Sequence, residues 1–481
     1  MSSTSSAIVQ RVWNYAHVLK DDGLAFMDYT EQITFLLFLK MAHEGVQYGR
    51  ATEIPEKYAW PKLRVSGEEL EEQYSKTLRE LGKLPGLLNV IFDKAQNKIV
   101  DPAKLERIIS MVDRENWSGL DMDVTGEIYE GLLARNAEDV RGGAGQYFTP
   151  RPVIRAIVEV MRPEPSMRIA DPACGTGGFL LGAHGFMNKP GLDRRTQKQL
   201  AEESLHGTDI VAGVVRLCAM NLYLHGLGGD KPLVERADSL AKRPAPVDMV
   251  LTNPPFGKKS SIKTIGEDGK KKKEDVAYDR PDFWATTTNK QLNFVQAVWS
   301  MLRDTGRAAV VVPDNVLFEA GAGEKIRKNL LERCDVHTLL RLPTGIWYSP
   351  GVKANVLFFD KRPASKEACT KELWIYDLRS NKDFTLRQNP IGDDDLKDFV
   401  QCYHAANRRK RQETERFKRF PYAELVKRDK LSLDIFWLKD DSLEDTANLP
   451  APDVIGEEIV ADLQEALEEF SGVLEELRKR E

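Results

Sequence analysis

The stretch Met167-Arg168-Ile169-Ala170-Asp171-Pro172-Ala173-Cys174-Gly175-Thr176-Gly177-Gly178-Phe179 sets the reading of the whole chain. A short apolar run, Met167 to Ala170, ends on an acid, turns through glycines and enters a helix-like stretch. That order predicts a strand, a tight turn and a helix start. Glycines let a backbone come close to a ligand and reach φ values that other residues avoid. The spacing is not the G-x-G-x-x-G phosphate fingerprint. Asp171 at the strand end would also repel a pyrophosphate. An acid beside an open glycine turn suits a cationic or amino-bearing ligand.

From the glycine cluster Arg141-Gly142-Gly143-Ala144-Gly145 onward the texture is that of an α/β domain. Seven β-rich apolar runs are expected as strands: Met167 to Ala170, Leu205 to Thr208, Val247 to Thr252, Ala308 to Val312, His337 to Leu342, Val356 to Phe359 and Leu373 to Tyr376. Helix-like segments lie between them, among them Val211 to His225, Gln291 to Arg303 and Glu324 to Leu331. Alternating strands and helices imply a mostly parallel sheet covered on both faces. Ligands then bind outside the carboxyl ends of the strands. Two further acids are expected at such ends, Asp209 and Asp238. The first is well placed for ribose hydroxyls and the second for an adenine amino group.

The segment Val247 to Thr252 runs directly into Asn253-Pro254-Pro255-Phe256. Two prolines fix the backbone after the strand and remove two N–H donors. Rigid carbonyls and the Asn253 amide oxygen form acceptors for a planar amine. Phe256 offers a face for stacking. Such a set is built to hold a base.

The ends of the chain read differently. Up to about Glu138 the pattern is helical, with Ile8, Val12, Ala16 and Leu19 on one face and Ile33, Leu36, Leu37 and Met41 on another. The segment Asp393 to Phe420 is highly charged and is expected as a solvated helix. Val460, Leu463, Leu467, Phe470, Leu474 and Leu477 are spaced 3, 4, 3, 4, 3, an a/d heptad seam. The 481 residues suggest about three domains. We expect a helical domain over 1–140, a catalytic domain over 141–390 and a helical extension over 391–481, with 455–481 as the docking heptad.

Composition excludes several classes. Lys plus Arg is 69 against 74 for Asp plus Glu, a net charge of -5, so the chain is not a basic nucleic-acid glue. No run approaches a membrane span, and Met1 to Ser6 lacks a secretory pattern. The five scattered cysteines form no CxxC pair, so no zinc site or disulfide framework is indicated and a cytoplasmic protein with reduced thiols is expected. No Walker-type phosphate loop or base-reading module is evident. Lys258 to Lys273, with seven lysines and two acids, follows the Asn-Pro-Pro-Phe motif and is a candidate for phosphate contact.

Asp171 to Phe179 with Asn253 to Phe256 resembles the S-adenosylmethionine-dependent amino-methyltransferases that act on adenine N6. The chain also carries Gly145-Gln146-Tyr147-Phe148-Thr149-Pro150-Arg151, Asn289-Lys290-Gln291-Leu292-Asn293-Phe294 and Leu342 to Asn355 in order. This full set resembles the modification subunit of type I restriction–modification systems. The resemblance implies a helical N-terminal domain, a Rossmann-like methyltransferase domain with a mostly parallel seven-stranded sheet, and a helical C-terminal tail. It assigns Gln146, Tyr147, Phe148, Thr149, Pro150, Arg151, Asp171, Gly175, Thr176, Gly177, Gly178, Asp209 and Asp238 to the cofactor. Asn253, Pro254, Pro255 and Phe256 would hold a target adenine flipped out of duplex DNA. It further implies a specificity subunit bound to two copies of this chain, and a restriction subunit that translocates and cleaves. Other planar amines remain open as acceptors: cytosine N4, guanine N2 in RNA and a protein glutamine amide. Phe256 and the collinear motifs favour adenine in DNA. No metal is expected.

Overall fold

The computed structural model describes residues 26–47, 49, 52–115, 117, 149–256, 261–265, 271–275, 277–347, 352–382, 384, 385 and 389–438. The expected face through Ile8 and Leu19, the segment Gln146 to Phe148 and the heptad of Val460 to Leu477 lie outside the described residues. The elements below belong to one compact unit drawn from Met1–Leu378 and Asp383–Phe436.

The N-terminal part is helical: α1 (Phe26–Gln47), α2 (Gly67–Leu81), α3 (Gly86–Phe92) and α4 (Pro102–Asp113). Ile33 and Phe35 through Leu39 of α1 are all buried. A helix that is apolar on every side belongs inside a core. Its buried polar groups are satisfied: Gln32 Nε2 donates to Gln96 O at 3.0 Å and Lys40 Nζ to Asp113 Oδ1 at 2.8 Å. At the start of α4 the Asp101 carboxylate accepts from Ala103 N at 2.9 Å, with Pro102 in the first turn.

The α/β part follows as α5 (Arg151–Met161), β1 (Ile169–Asp171), α6 (Gly178–Met187), α7 (Arg194–Glu202), β2 (Leu205–Asp209), α8 (Ala212–Leu224), β3 (Val234–Arg236) and β4 (Val247–Thr252). Next come a two-stranded ribbon, β5 (Ser261–Ile265) with β6 (Lys271–Asp275), then α9 (Lys290–Met301), β7 (Leu302–Pro313), α10 (Asp314–Phe318) and α11 (Ala322–Arg333). Then come β8 (Cys334–Arg341), β9 (Ala354–Lys361), β10 (Glu372–Asp377), α12 (Asp393–Tyr403), β11 (Phe417–Pro421) and a short helix, α13 (Tyr422–Leu425). Helix α8 joins the two parts. Arg216 donates to Ile91 O at 2.7 Å and Asp93 O at 3.0 Å, and pairs with Glu31 of α1.

The sheet runs β11-β10-β8-β9-β7-β4-β1-β2-β3. Strands β1, β2, β3, β4 and β7 pair in parallel, as do β8 and β10, while β9 and β11 run against their neighbours. It has nine strands, not the seven expected. The two extra strands, β3 and β11, are its edges. In β3, three residues long, only Val234 is buried. β11 lies inside the charged segment read as a solvated helix. That segment is α-helical through α12, which buries Leu396, Phe399 and Tyr403 and packs on α5, and has a single 3-10 turn at Arg408–Lys410. It then lays Phe417 opposite Tyr376 of β10. An edge strand tolerates charged side chains and carries a weak apolar signature. The carboxyl ends of β1, β2, β4, β7 and β8 share one edge of the sheet.

Candidate methyl-transfer site

Strand β4 lies beside β1 with Ala170 opposite Val250, so Thr252 arrives next to Asp171. Its hydroxyl donates to Asp171 Oδ1 at 2.6 Å, and Ala173 N donates to the same oxygen at 3.1 Å. Asp171 is 2% exposed. Burial pushes its carboxyl up to about 7; the two hydrogen bonds oppose the rise and the neighbouring Asp209 carboxylate adds to it.

The turn after Asp171 depends on glycine. Gly177 has φ 89°, and a Cβ there would lie 2.9 Å from Cys218 Sγ. A Cβ on Gly178 would lie 2.9 Å from Ile154 Cδ1, so glycine lets α6 start against α5 without moving the end of that side chain. Gly177 N donates to Cys174 O at 2.8 Å, and the buried Asn221 amide donates to Thr176 O at 2.9 Å. Cys174 is buried beneath the turn; its hydrogen bond with the Cys218 thiol, and then burial, push it well above the usual thiol range. Such a thiol is inert filler rather than a nucleophile.

Asp209 ends β2 and reaches back to the turn, accepting from Gly175 N at 3.2 Å and from Val211 N at 2.9 Å. Burial raises its carboxyl above the usual range against those two bonds. Asp238 follows β3; its carboxylate accepts from Leu240 N and from the Tyr278 hydroxyl, both at 2.9 Å.

Asn253 leaves the end of β4. Its Nδ2 donates to Thr149 Oγ1 at 2.9 Å. Phe256 is buried and packs edge-to-face on Trp347, with ring centroids 6.0 Å apart. Downstream, Asn289 caps α9 by accepting from Gln291 N at 3.0 Å and Leu292 N at 3.2 Å. A cavity of about 40 Å³ is lined by Thr149, Asp171, Gly175, Thr176, Gly178 and Asn253, among others. One water occupies about 30 Å³, so this cavity marks a meeting point rather than a bed for a whole cofactor.

The glycine turn, the Asn-Pro-Pro-Phe motif and Thr149 are therefore brought together. Pro150 and Arg151 sit beside them, as the N-cap and first residue of α5. Asp209 reaches the turn without lining the cavity, and Asp238 lies further out, against Tyr278. Gln146, Tyr147 and Phe148 are outside the described residues. Sequence reading missed Thr252, Asn221, Cys218 and Tyr278. A hydroxyl directly before Asn253 was the one available signal, whereas the other three sit mid-helix or in a loop with no motif around them.

These residues fit S-adenosylmethionine. A buried carboxyl, Asp171, and a half-buried one, Asp209, flank a glycine turn whose space a side chain would fill, and the cofactor carries a cationic sulfonium and an α-ammonium. Fold and site define a Rossmann-like methyltransferase that uses this cofactor. The N-6 DNA methylase family model matches residues 120–439, and the HsdM N-terminal domain model matches residues 8–112. The chain is 35% identical to the type I restriction enzyme EcoKI methylase subunit of Escherichia coli (strain K12), over 98% of this chain and 95% of the relative. The crystal structure of the EcoKI M protein is similar with a TM-score of 0.54 at 30% identity, covering 98% of this chain and 96% of that one. A chain from a study of complex assembly and conformational transition in a type I restriction–modification system gives a TM-score of 0.67 at 26% identity, covering 98% of each. The chain belongs to the N-6 DNA methylase family, among the methylase subunits of type I restriction enzymes. Among the described residues, no helix is long and apolar enough to cross a membrane.

Proposed function

We propose that this chain methylates N6 of a flipped adenine in duplex DNA, at sites chosen by a separate specificity subunit. The observation that carries the reading is the single cavity lined by both Asp171 with its glycine turn and Asn253. When bound, S-adenosylmethionine supplies an electrophilic methyl on a cationic sulfur. Asp171 and the Gly175 to Gly178 turn hold its methionine end. Gln146 to Arg151 lie against it. Asp209 takes the ribose hydroxyls and Asp238 the adenine edge.

The Asn253 amide oxygen and the Pro254 carbonyl accept the two N6 hydrogens, Pro255 keeps that backbone rigid, and Phe256 stacks on the base. The adenine N6 lone pair is delocalised into the ring. Drawing both N–H bonds toward fixed acceptors favours a more tetrahedral nitrogen and stabilises the positive charge that develops on it. Positioning and electrostatics then replace a strong general base.

In this reading two copies of the chain join one specificity subunit in the cytoplasm, and a restriction subunit that translocates and cleaves DNA completes the complex. Residues 1–140 form a packing domain and 141–390 the catalytic domain, to whose sheet the 391–481 extension adds the edge strand β11; the heptad, 455–481, docks on the specificity subunit. The lysines of 258–273 contact phosphate.

The test uses tritiated S-adenosylmethionine, duplex DNA and the complex with its specificity subunit, followed by nucleoside analysis. Label in N6-methyladenine is the expected result. Label in cytosine, RNA or a protein glutamine, or no label, would overturn the reading.

A further inference from the structure

The hydrogen bond between Thr149 and Asn253 joins residues 104 positions apart, and both ends are restrained in the same way. Thr149 is followed by Pro150, and Asn253 by Pro254. A proline pushes the residue before it out of the helical region and into extended backbone. Thr149 is also β-branched, which limits its side-chain rotamers. Two short side chains on two stiffened backbones therefore meet at 2.9 Å, on the wall of the cavity shared with Asp171 and the glycine turn.

An asparagine amide has two ends of similar size and opposite chemistry. Turning it by half a revolution exchanges a carbonyl oxygen for an NH2 group. Asn253 can accept from an amine in only one of those two states. In the other, its own N–H groups would face the N–H groups of the base. With Nδ2 held on Thr149 Oγ1, the oxygen is fixed at the opposite end of the amide plane. The two states differ in chemistry rather than shape, so packing alone selects between them weakly. A hydroxyl can accept or donate, but with an amine in place only the state with Nδ2 on Thr149 Oγ1 gives both the amide N–H and the amine an acceptor.

We infer that Thr149 is a positioning residue for methyl transfer: by accepting from the Asn253 amide nitrogen it sets the amide so that its oxygen faces the target amine. This gives the Thr149 hydroxyl to Asn253 rather than to the cofactor, leaving the contact of that segment with the cofactor to its other atoms, and rests on the reading of Asn253 as the amine acceptor.

The experiment compares Thr149→Val and Thr149→Ser in the complex with the specificity subunit, using duplex DNA and S-adenosylmethionine. Valine keeps the shape and loses the acceptor. Serine keeps the acceptor. Thr149→Val should lower kcat by roughly 10- to 100-fold, the scale set by small misplacements of reacting groups. The KM and Kd for S-adenosylmethionine should stay within about twofold, well under the 1.4 kcal/mol that a tenfold change represents. Thr149→Ser should restore most of the rate.

A third variant separates orientation from bulk structure. Asn253→Asp has two equivalent oxygens and no wrong rotamer, so adding Thr149→Val to it should cost less than in the native background. Weaker cofactor binding with kcat unchanged would make Thr149 a cofactor contact and overturn the inference. So would an unchanged rate, a failure of serine to rescue, or an equal valine penalty in both backgrounds. Failure of the unmodified complex to label N6-methyladenine is a separate result, and would strike at the function of Asn253 itself.

Discussion

The turns after β1 and β4 lie side by side at the same edge of the sheet and solve opposite problems. After β1 the chain uses glycine: Gly175 and Gly177 take positive φ, and Gly178 lets α6 start against Ile154. The backbone itself becomes the surface that a ligand meets. After β4 the chain uses Asn253, Pro254 and Pro255, which give stiffness and directed acceptors. A large, cationic and flexible cofactor needs room and negative charge. A flat base presenting two N–H bonds needs fixed oxygens. The Thr252 hydroxyl joins the end of β4 to Asp171, and the Thr149 hydroxyl ties Asn253 to the segment that leads into α5, so both turns are held in one frame.

If the labour is divided in this way, damage to the two turns should read out differently. The largest effect is expected from Asn253→Ala. Loss of one preorganised polar group at a reacting centre costs roughly 10²–10³ in kcat, while cofactor affinity by calorimetry should hardly move. A parallel collapse of cofactor binding would merge the two turns into one site and break the comparison.

Gly177→Ala should do the reverse. Forcing a side chain into left-handed backbone costs roughly 1–3 kcal/mol, and its Cβ would press on Cys218. A lower melting temperature and roughly tenfold weaker cofactor binding are expected, tenfold being about 1.4 kcal/mol. Unaltered affinity would show that the turn does not hold the cofactor.

The smallest effect concerns pH. Asp171 titrates near 7 because it is buried. With Asp171 in its proposed place at the cofactor's cationic end, the cofactor prefers the carboxylate form, so affinity should rise as pH increases through about 7. In the free chain the sign is opposite. The folded state binds the proton more tightly than the unfolded one, so this group's contribution to stability is complete below the usual carboxyl pKa and is lost as pH rises through about 7. Thr252→Val removes a donor to the carboxylate and should move the binding midpoint upward. A midpoint that stays in place or falls in cofactor titrations from pH 5.5 to 8.5 would detach Thr252 from Asp171.

Much of this arrangement is legible along the chain because its parts are local. Asp171 to Phe179 and Val247 to Phe256 each carry a strand, its end and its turn within about ten residues, and the alternating runs place both at carboxyl ends. The edge strands are less legible for a physical reason. β3 buries one side chain and shows only through Asp238 at its end, and the charged neighbours of Phe417 mask β11. Long-range pairings escaped entirely. Thr149 with Asn253, Thr252 with Asp171 and Tyr278 with Asp238 are 104, 81 and 40 residues apart. A hydroxyl finding a distant polar group leaves no periodicity, and the register of β1 against β4 is what brings Thr252 to Asp171.

One single-turnover experiment tests the division of labour most directly. The complex with its specificity subunit, carrying either Gly177→Ala or Asn253→Ala, is mixed with duplex DNA and tritiated S-adenosylmethionine raised to saturation. The account predicts that saturating cofactor returns Gly177→Ala to near the native rate of N6-methyladenine formation and leaves Asn253→Ala as slow as before. Recovery of Asn253→Ala at high cofactor, or none for Gly177→Ala, would contradict it.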